Sequence, residues 1–243
     1  MKLFVCSDIH SNIRALRSVL EVYDSLEVDG FVSLGDSVGY GPNPNECLEL
    51  IFSISDAMFV LGNHDISLLD ENERMWLNPE AKKAIVRTAE IIDDKYIEEI
   101  STRFHLEIEK ECCLAVHSHP VHPGSWKYIY SKEEAMSVFK QRNFDVALVG
   151  HTHVPAVFGS DGESIDIEPN VAIRLDPDKR YIINPGSVGQ PRDYDNRASS
   201  CLLDTEVRTV TFYRTGYDIE AELKDFLNLG FPAVFGERLL KGV

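Results

Sequence analysis

The stretch Gly30-Phe31-Val32-Ser33-Leu34-Gly35-Asp36 predicts a short buried strand that ends abruptly in a carboxylate. In open α/β sheets, ligands bind beyond the carboxyl ends of the strands, where Asp36 is expected to lie. Side chains that can bind metals also follow four other predicted strands: Asp8-Ile9-His10, Asn63-His64-Asp65, His117 and His151-Thr152-His153. Because the carboxyl ends of parallel strands meet at one edge of a sheet, we expect these groups to surround Asp36.

Predicted strands and helices alternate along the first part of the chain. Apolar strands at 2–7, 30–35 and 57–61 are separated by two helices, one beginning after Asn12 and one after the 42–45 turn. This strand–helix–strand–helix–strand order is typical of a mostly parallel sheet with right-handed connections.

The remainder of the chain is predicted to supply a second sheet and further helices. An acidic, helical segment at 66–102 is expected to lie as a cap beside the ligand-bearing loops. After it come predicted strands at 104–109, 112–117 and 145–149, a helix at 131–141, short strands and turns over 154–215 with a hairpin at 200–213, and helices near 218–228 and 232–240. We therefore predict one domain over residues 1–243, with two packed sheets and helices outside them.

The charge balance restricts the kinds of partner. There are 24 lysines and arginines against 40 acidic residues, which gives a formal net charge of −16. Such a surface repels nucleic-acid backbones and anionic membranes, so nucleic acid is an unlikely partner. A small phosphorylated substrate remains compatible, because bound divalent cations would dominate the local field. Nothing in the sequence indicates an oligomeric state.

Cysteine usage favours a reducing compartment. The five cysteines are odd in number, include the adjacent pair Cys112 and Cys113, and form no Cys-x-x-Cys motif. These features argue against a disulfide framework and a structural zinc site, so we expect reduced thiols. With no signal-peptide pattern and no apolar run of membrane-spanning length, we expect a cytoplasmic protein.

Each fragment also has an ordinary structural explanation. Asp8 and His10 would suit a helix cap and a surface histidine, and Asn63-His64-Asp65 would suit a turn. A single histidine such as His117 is more often a core residue than a ligand. The pair in His151-Thr152-His153 is harder to explain by packing, since two imidazoles follow a glycine on one face. We expect an extended backbone from Asp8 to His10, on which side chains at i and i+2 point the same way, and this suits chelation of one ion.

Considered together, the fragments favour a metal site over these alternatives. Oxygen and imidazole ligands without thiolate suit Mn, Fe, Co, Ni or Zn better than a structural zinc site. Two such ions about 3.5–4 Å apart can clamp a phosphoryl group and share a hydroxide for in-line displacement. We interpret Asp36 as the carboxylate shared by the two ions.

The motifs resemble those of the calcineurin-like metallophosphoesterase superfamily. They are, in chain order, Asp-x-His, Gly-Asp-x-x-Gly, Gly-Asn-His-Asp, a downstream His and Gly-His-x-His. Segments 35–46 and 184–193 are similar to a bacterial and archaeal branch described as phosphodiesterases or diadenosine tetraphosphatase-like proteins. The similarity extends to Leu239, and it implies a four-layer α/β/β/α sandwich of two mixed sheets with the site at the sheet ends.

The resemblance also implies which residues bind metal. It assigns Asp8, His10, Asp36 and His153 to one ion, and Asp36, Asn63, His117 and His151 to the other. A water between the ions would be the nucleophile, so no serine or cysteine nucleophile is required.

Further residues are expected to contact the substrate. His64, held by Asp65, would protonate the leaving oxygen or stabilise the transition state, and Asn63 would also contact the substrate. Where the family often has His-Gly at the fourth motif, this chain has His117-Ser118-His119-Pro120. The nearby His119 and His122 would then be either extra substrate contacts or part of a solvated loop.

The loop 184–193 is a second place where substrate choice is expected to be set. Glycines on both sides of Ser187 would let the backbone approach a phosphate. Arg192 would grip a non-bridging oxygen bidentately. An ion pair of Arg192 with Asp193 or Asp195 is an equally compatible alternative.

From these observations we expect a dinuclear-metal-dependent phosphodiesterase or phosphatase that hydrolyses a small phosphoester, a nucleotide or a dinucleoside polyphosphate. A nuclease would use the same site, but the chain lacks a basic stripe for a polymer. A phosphoprotein phosphatase is also compatible, since recognition of a protein surface leaves no short motif. A non-catalytic scaffold would be expected to lack ligands, and none is missing here.

Overall fold

The computed structural model describes residues 1–111 and 113–243. Cys112, which we counted among the reduced cysteines and placed at the start of the predicted strand 112–117, lies outside the described residues. Cys6, Cys47 and Cys201 are buried free thiols, and Cys113 is buried on a strand.

Twelve strands are described. In chain order they are β1 Lys2–Cys6, β2 Gly30–Ser33, β3 Ala57–Val60, β4 Phe104–His105, β5 Glu107–Lys110, β6 Cys113–Val116, β7 Val146–Leu148, β8 Ala156–Gly159, β9 Ala172–Arg174, β10 Tyr181–Asn184, β11 Ala198–Asp204 and β12 Thr209–Thr215.

Eight α-helices accompany them in the described part of the chain. They are α1 Ile13–Asp24, α2 Pro44–Phe52, α3 Asn63–Leu69, α4 Pro79–Ile91, α5 Asp94–Arg103, α6 Lys132–Gln141, α7 Ile219–Asn228 and α8 Ala233–Lys241, with short 3₁₀ helices at Glu73–Trp76 and Pro123–Ser125.

The strands form two mixed sheets. The larger has the order β4-β3-β2-β1-β11-β12-β9, and the smaller has the order β5-β6-β7-β10-β8. Strands β1 to β4 are parallel neighbours, as are β6, β7 and β10, whereas β11, β12, β9, β5 and β8 join antiparallel. The carboxyl ends of the parallel strands in both sheets therefore supply the loops that carry the candidate ligands.

Alternating side chains of the strands separate the core into layers. On β1, Phe4 and Cys6 pack into the cluster shared with helices α1, α2 and α5, whereas Leu3 and Val5 face the second sheet. The outer face of the second sheet packs on α6. This alternation follows from the period of two along a strand. It confirms the predicted α/β/β/α sandwich of two mixed sheets.

The predicted strand 104–109 is divided between the two sheets. Residues Phe104–His105 extend the larger sheet beside β3, and Glu107–Lys110 begin the smaller sheet beside β6. Leu106, which lies between them, is a break that the alternating pattern of the sequence did not reveal.

The acidic helical segment 66–102 contains two different environments. Its part at 73–81 lines the cavity above the candidate site, which is where a cap would lie. Helix α5 instead packs Tyr96 and Ile100 into the cluster beneath the larger sheet. Among the described residues, none of the helices has the length and apolar character needed to cross a membrane.

Candidate metal centre

The candidate ligands lie on loops that continue the pairing of the parallel strands. Beyond β1 and β2, the Asp8 amide donates to the carbonyl of Gly35 at 3.0 Å, and the His10 amide donates to the carbonyl of Asp36 at 2.9 Å. From the second sheet, the amide of His151 donates to Asp8 Oδ2 at 3.0 Å. The two sheets are thus joined at the edge that carries the site.

Most of the predicted ligands have left-handed backbone conformations. The φ angles are positive at Asp8 (54°), His10 (48°), Asp36 (52°), His151 (66°) and His153 (62°). For residues with a side chain this region costs about 1–2 kcal/mol each. Our expectation of an extended backbone from Asp8 to His10 is therefore wrong. Tight left-handed turns bring these side chains inward, and backbone strain of this kind clusters at functional sites.

Backbone carbonyls fix the tautomer of four imidazoles. One ring nitrogen of each histidine lies within hydrogen-bond distance of a main-chain oxygen: His10 Nδ1 to Val38 at 3.2 Å, His117 Nδ1 to Leu34 at 2.7 Å, His151 Nε2 to Trp126 at 3.0 Å and His153 Nδ1 to Gln190 at 2.6 Å. A carbonyl accepts but cannot donate, so each of these nitrogens carries the proton in the neutral ring. The opposite nitrogen of each ring then presents a lone pair.

Those lone pairs face each other in two pairs. His10 Nε2 lies 3.1 Å from His153 Nε2, and His117 Nε2 lies 3.1 Å from His151 Nδ1. Two neutral nitrogens without protons cannot hydrogen-bond to each other, so each contact requires a cation against both nitrogens or, in the pair of His117 with His151, a second proton on His117. The residues present therefore fit bound metal ions.

Two carboxylates complete the arrangement. Asp36 Oδ2 lies 3.4 Å from His117 Nε2 and 3.7 Å from His10 Nε2, so it faces both imidazole pairs. Asp8 Oδ1 lies 3.2 Å from His153 Nε2. Asp8 Oδ1 is fully buried and receives no hydrogen bond from the described residues, and the same is true of Asn63 Oδ1. Buried acceptors without donors are rare, and a cation would satisfy both.

Most of the candidate ligands are in the protonation state that binds a cation, with neutral imidazoles and an ionised carboxylate. Burial lowers the pKa of His151 to about 3, and burial together with Arg192 also lowers the pKa of His153. Burial opposes the charge of Asp36, but the neighbouring His117 and His64 hold its pKa well below the usual range. His117 differs, because Asp36 outweighs burial and raises its pKa to about 9. A cation would have to displace that proton.

His64 and Asp65 lie at the start of α3, where we had predicted a possible turn. His64 is buried, and its ring contacts Tyr40 at 4.4 Å between centroids. Gly39 has a φ of +89°, and a Cβ there would lie 2.2 Å from His64 Nδ1, so glycine is required beside this ring. His64, His10 and Asp36 also form one of the groups able to hold an ion.

Asp65 does not hold the imidazole of His64, contrary to our expectation. Its carboxylate instead accepts four backbone N–H groups, those of Asp36 at 2.8 Å, Ser37 at 3.0 Å, Val38 at 3.3 Å and Gly62 at 3.0 Å. Asp65 therefore fixes the loop that carries Asp36.

Ser187 lies behind the site and does not line its cavity. It is fully buried, its hydroxyl donates to the carbonyl of Asp8 at 2.8 Å, and it accepts from the amide of Gln190 at 2.8 Å. We expected the glycines beside Ser187 to let the backbone approach a phosphate. Gly189 instead lets the loop approach the protein's own backbone, because a Cβ there would lie 1.9 Å from the carbonyl oxygen of Ile9. The loop thus packs on the backbone beneath Asp8, and both hydrogen-bonding functions of Ser187 are used there.

Arg192 lies in the cavity and is not paired with an aspartate. Its Nη2 donates to the Tyr40 hydroxyl at 3.3 Å and to Gln190 Oε1 at 3.1 Å, while its Nε is buried without a partner. The two neighbouring carboxylates have other partners, Arg214 for Asp193 and Arg197 for Asp195. The ion-pair alternative is therefore not what the structure contains.

The cavity above the ligands has a volume of about 320 Å³. Its wall includes aromatic residues to which the sequence had assigned no role: Tyr40, Trp76, Trp126 and Tyr128. Tyr128 stacks on His151 with 4.2 Å between ring centroids and an angle of 11°. His119 and His122 stack on each other, and neither lines this cavity. No sequence motif marks these aromatic residues, because only the fold brings them to one cavity.

Comparison with known proteins agrees with this geometry. The family model of the calcineurin-like phosphoesterase superfamily domain matches residues 1–208. An uncharacterized protein from Methanocaldococcus jannaschii is 36% identical over 241 residues, covering 98% of this chain and 97% of that protein. The crystal structure of a metallophosphoesterase from Sphaerobacter thermophilus superposes with a TM-score of 0.88 at 34% identity, covering 100% of this chain and 99% of that one.

A shorter match covers about a quarter of the chain. The symmetrical bis(5′-nucleosyl)-tetraphosphatase of Coxiella burnetii is 38% identical over 68 residues, which is 27% of this chain and 23% of that enzyme. The family match, by contrast, includes every predicted ligand and loop of the site. The protein is a phosphoric ester hydrolase, and it belongs to the calcineurin-like phosphoesterase superfamily.

Proposed function

We propose that this hydrolase depends on two divalent transition-metal ions and cleaves a small phosphoester, a nucleotide or a dinucleoside polyphosphate. The observation that carries the proposal is the pair of imidazole contacts, His10 with His153 and His117 with His151, each 3.1 Å between ring nitrogens that do not face a backbone carbonyl. Asp36 faces both pairs, so it is the residue we assign to both ions.

The two ion sites that we propose use the ligand sets of the family pattern. They are Asp8, His10, Asp36 and His153 for one, and Asp36, Asn63, His117 and His151 for the other. Oxygen and imidazole donors suit Mn, Fe, Co, Ni or Zn. When bound, such ions neutralise the phosphoryl charge and lower the pKa of a water so that it can attack phosphorus.

His64 is the residue we propose for proton transfer to the leaving oxygen. Burial lowers its pKa to about 4, so the ring is neutral in the free protein at neutral pH. An anionic phosphoryl group beside it would favour the protonated form, because an opposite charge raises the pKa of an imidazole. Tyr40 and Gly39 confine the ring, and this keeps it in the cavity that holds the ligands.

Arg192 is the residue we propose for gripping a non-bridging phosphoryl oxygen. Its guanidinium retains unused donors, and no carboxylate among the described residues lies within 4.0 Å of it. A charge-assisted contact of this kind fixes the phosphoryl group against the ligands. The amide of Asn63 lines the same cavity and is a further candidate contact.

Aromatic walls favour a nucleotide over a purely aliphatic phosphoester. Trp76, Trp126 and Tyr128 surround a cavity of about 320 Å³, and Trp76 has 74% of its surface exposed. Bases stack on such side chains, and each stacked base contributes about 1–3 kcal/mol in nucleic-acid binding proteins. The local similarity to a symmetrical bis(5′-nucleosyl)-tetraphosphatase supports the same substrate class.

The experiment is a screen of the purified protein with each metal in turn. The substrates are bis-p-nitrophenyl phosphate, p-nitrophenyl phosphate, mononucleotides, dinucleoside polyphosphates, a phosphopeptide, and single-stranded DNA and RNA. We expect metal-dependent hydrolysis of small phosphoesters, with a nucleotide preferred and little action on polymers.

Variants separate the parts of this proposal. Arg192→Ala should raise KM for the nucleotide, and Arg17→Ala, which removes an exposed arginine outside the cavity, is the matched control. Efficient degradation of single-stranded nucleic acid with a steep salt dependence would replace the proposal with a nuclease. Absence of hydrolysis with every metal would contradict it altogether.

A further inference from the structure

A second open cavity, of about 340 Å³, adjoins the cavity above the ligands. Its wall is formed by Tyr40, Asn78, Tyr128, Arg192, Arg238 and Val243. The first four of these residues line both cavities. A ligand held at the candidate metal centre can therefore extend past Arg192 and toward Arg238 without leaving the wall that the cavities share.

Among residues 1–111 and 113–243, the guanidinium of Arg238 has no hydrogen-bond or ion-pair partner. The described ion pairs engage Arg14, Arg74, Arg87, Arg103, Arg142, Arg197 and Arg214. Within the described chain, Arg192 and Arg238 are half-buried arginines that donate to neither a carboxylate nor a backbone carbonyl. Although the chain has a net charge of −16, no carboxylate of the described residues forms an ion pair with either of these two cations.

Aromatic rings place the two guanidinium groups along this wall. The Cζ atom of Arg192 lies 5.8 Å from the ring centroid of Tyr40. The ring of Tyr40 in turn contacts that of Phe235, with 4.4 Å between the centroids. Arg238 lies with its Cζ 5.8 Å from the ring centroid of Phe235. Tyr40 and Phe235 are buried, so the two cations rest on a fixed aromatic support.

We propose that Arg192 and Arg238 form an anion subsite for a second phosphoryl group linked to the one at the metal centre. The subsite rests on the proposed function and narrows its substrate class to compounds with two or more linked phosphoryl groups. A monoester reaches Arg192 only, whereas a phosphoanhydride chain also reaches Arg238. Planar guanidinium groups suit phosphoryl oxygens, which they bind bidentately.

The test compares inorganic tripolyphosphate with orthophosphate as probes of the metal-loaded protein. Both are measured as inhibitors of bis-p-nitrophenyl phosphate hydrolysis, and their binding is measured directly by calorimetry, with metal content checked afterwards. We expect tripolyphosphate to bind more tightly than orthophosphate. Arg238→Ala should reduce that preference by about tenfold, the scale of one charge-assisted contact.

Two further variants make the result specific to Arg238. Arg238→Lys should recover part of the preference, because charge is kept while the planar fork is lost. Arg17→Ala removes one helical arginine outside both cavities and should leave the preference unchanged.

The possible failures are distinguishable. If bis-p-nitrophenyl phosphate is hydrolysed but Arg238→Ala and the unaltered protein prefer tripolyphosphate equally, the subsite is wrong while the proposed function holds. If no phosphoester is hydrolysed with any metal, calorimetry still decides the subsite. A loss of tripolyphosphate binding that Arg17→Ala reproduces would show a general charge effect and would also overturn the subsite.

Discussion

The carboxylate of Asp65 accepts a hydrogen bond of 2.8 Å from the backbone amide of Asp36, so one acidic residue holds the loop that presents the other. In return, Asp36 Oδ1 accepts from the amide of His64 at 2.8 Å, which ties the loop to the first turn of α3. The strand end and the helix start are thereby fixed to each other. The position of the central candidate ligand therefore depends on a residue that binds its backbone amide.

Asp65→Ala should destabilise the fold and lower metal content together. The substitution leaves four buried N–H groups without an acceptor, and each such group costs about 1–3 kcal/mol unless water enters. Thermal unfolding and metal analysis of the purified variant check this. Asp65→Asn keeps one acceptor oxygen, so its loss should be smaller. Normal stability with only kcat reduced would instead mean that Asp65 acts on His64.

Asp36→Asn should reduce metal content more than any single histidine substitution. Asp36 Oδ2 lies within 3.7 Å of nitrogens from both imidazole pairs, and its charge would neutralise both ions. We expect loss of both ions in Asp36→Asn and weakening of one in His10→Ala. Elemental analysis measures the stoichiometry, with the exposed His122→Ala as the histidine control. Wild-type stoichiometry in Asp36→Asn would contradict the shared role.

His64→Ala should retain both metals while kcat falls by roughly 10²–10⁴, the usual contribution of general acid–base catalysis. The loss should be smaller for p-nitrophenolate as leaving group, since that group needs little protonation. Kinetics on leaving groups of graded pKa check this dependence. A uniform loss across leaving groups would indicate transition-state binding, and a drop in metal content would make His64 a ligand.

Glu222 should make the free energy of unfolding fall as pH rises toward neutrality. A carboxylate stabilised by an ion pair has the opposite effect. It is fully buried at the contact of α7 with α1, and burial raises its pKa to about 7 despite Arg14 at 2.9 Å. A folded-state pKa above the unfolded value of 4.5 gives stability that is complete below pH 4.5 and is lost as pH rises through about 7.

The measurement is the free energy of unfolding of Glu222→Gln and the unaltered protein from pH 4.5 to 8. The difference between them should change by about 3 kcal/mol over this range, and the variant should gain relative stability at high pH. If Glu222→Gln is instead relatively less stable at pH 8, Glu222 is ionised in the fold and its ion pair with Arg14 dominates.

By itself, the sequence determined the sandwich of two sheets and the edge at which the site lies. Apolar runs such as 30–34, bounded by glycines, favour buried strands, and a carboxylate or imidazole after such a run then lies at the strand end. Residue types at the strand ends, among them Asp36, His117 and His153, therefore indicated a metal site, and the resemblance of the motifs to the superfamily implied which of them are ligands.

Only the tertiary structure decided how those residues act on one another. The left-handed turns at Asp8 and His10, the four amides on Asp65 and the burial of Ser187 depend on loops from distant parts of the chain that meet at the sheet edge. Side-chain pairing is likewise non-local: Asp193 and Asp195 are the sequence neighbours of Arg192, yet Arg214 and Arg197 pair with them. Local spacing specifies which groups reach an edge, but hydrogen bonds between separate loops determine which atoms face the cavity.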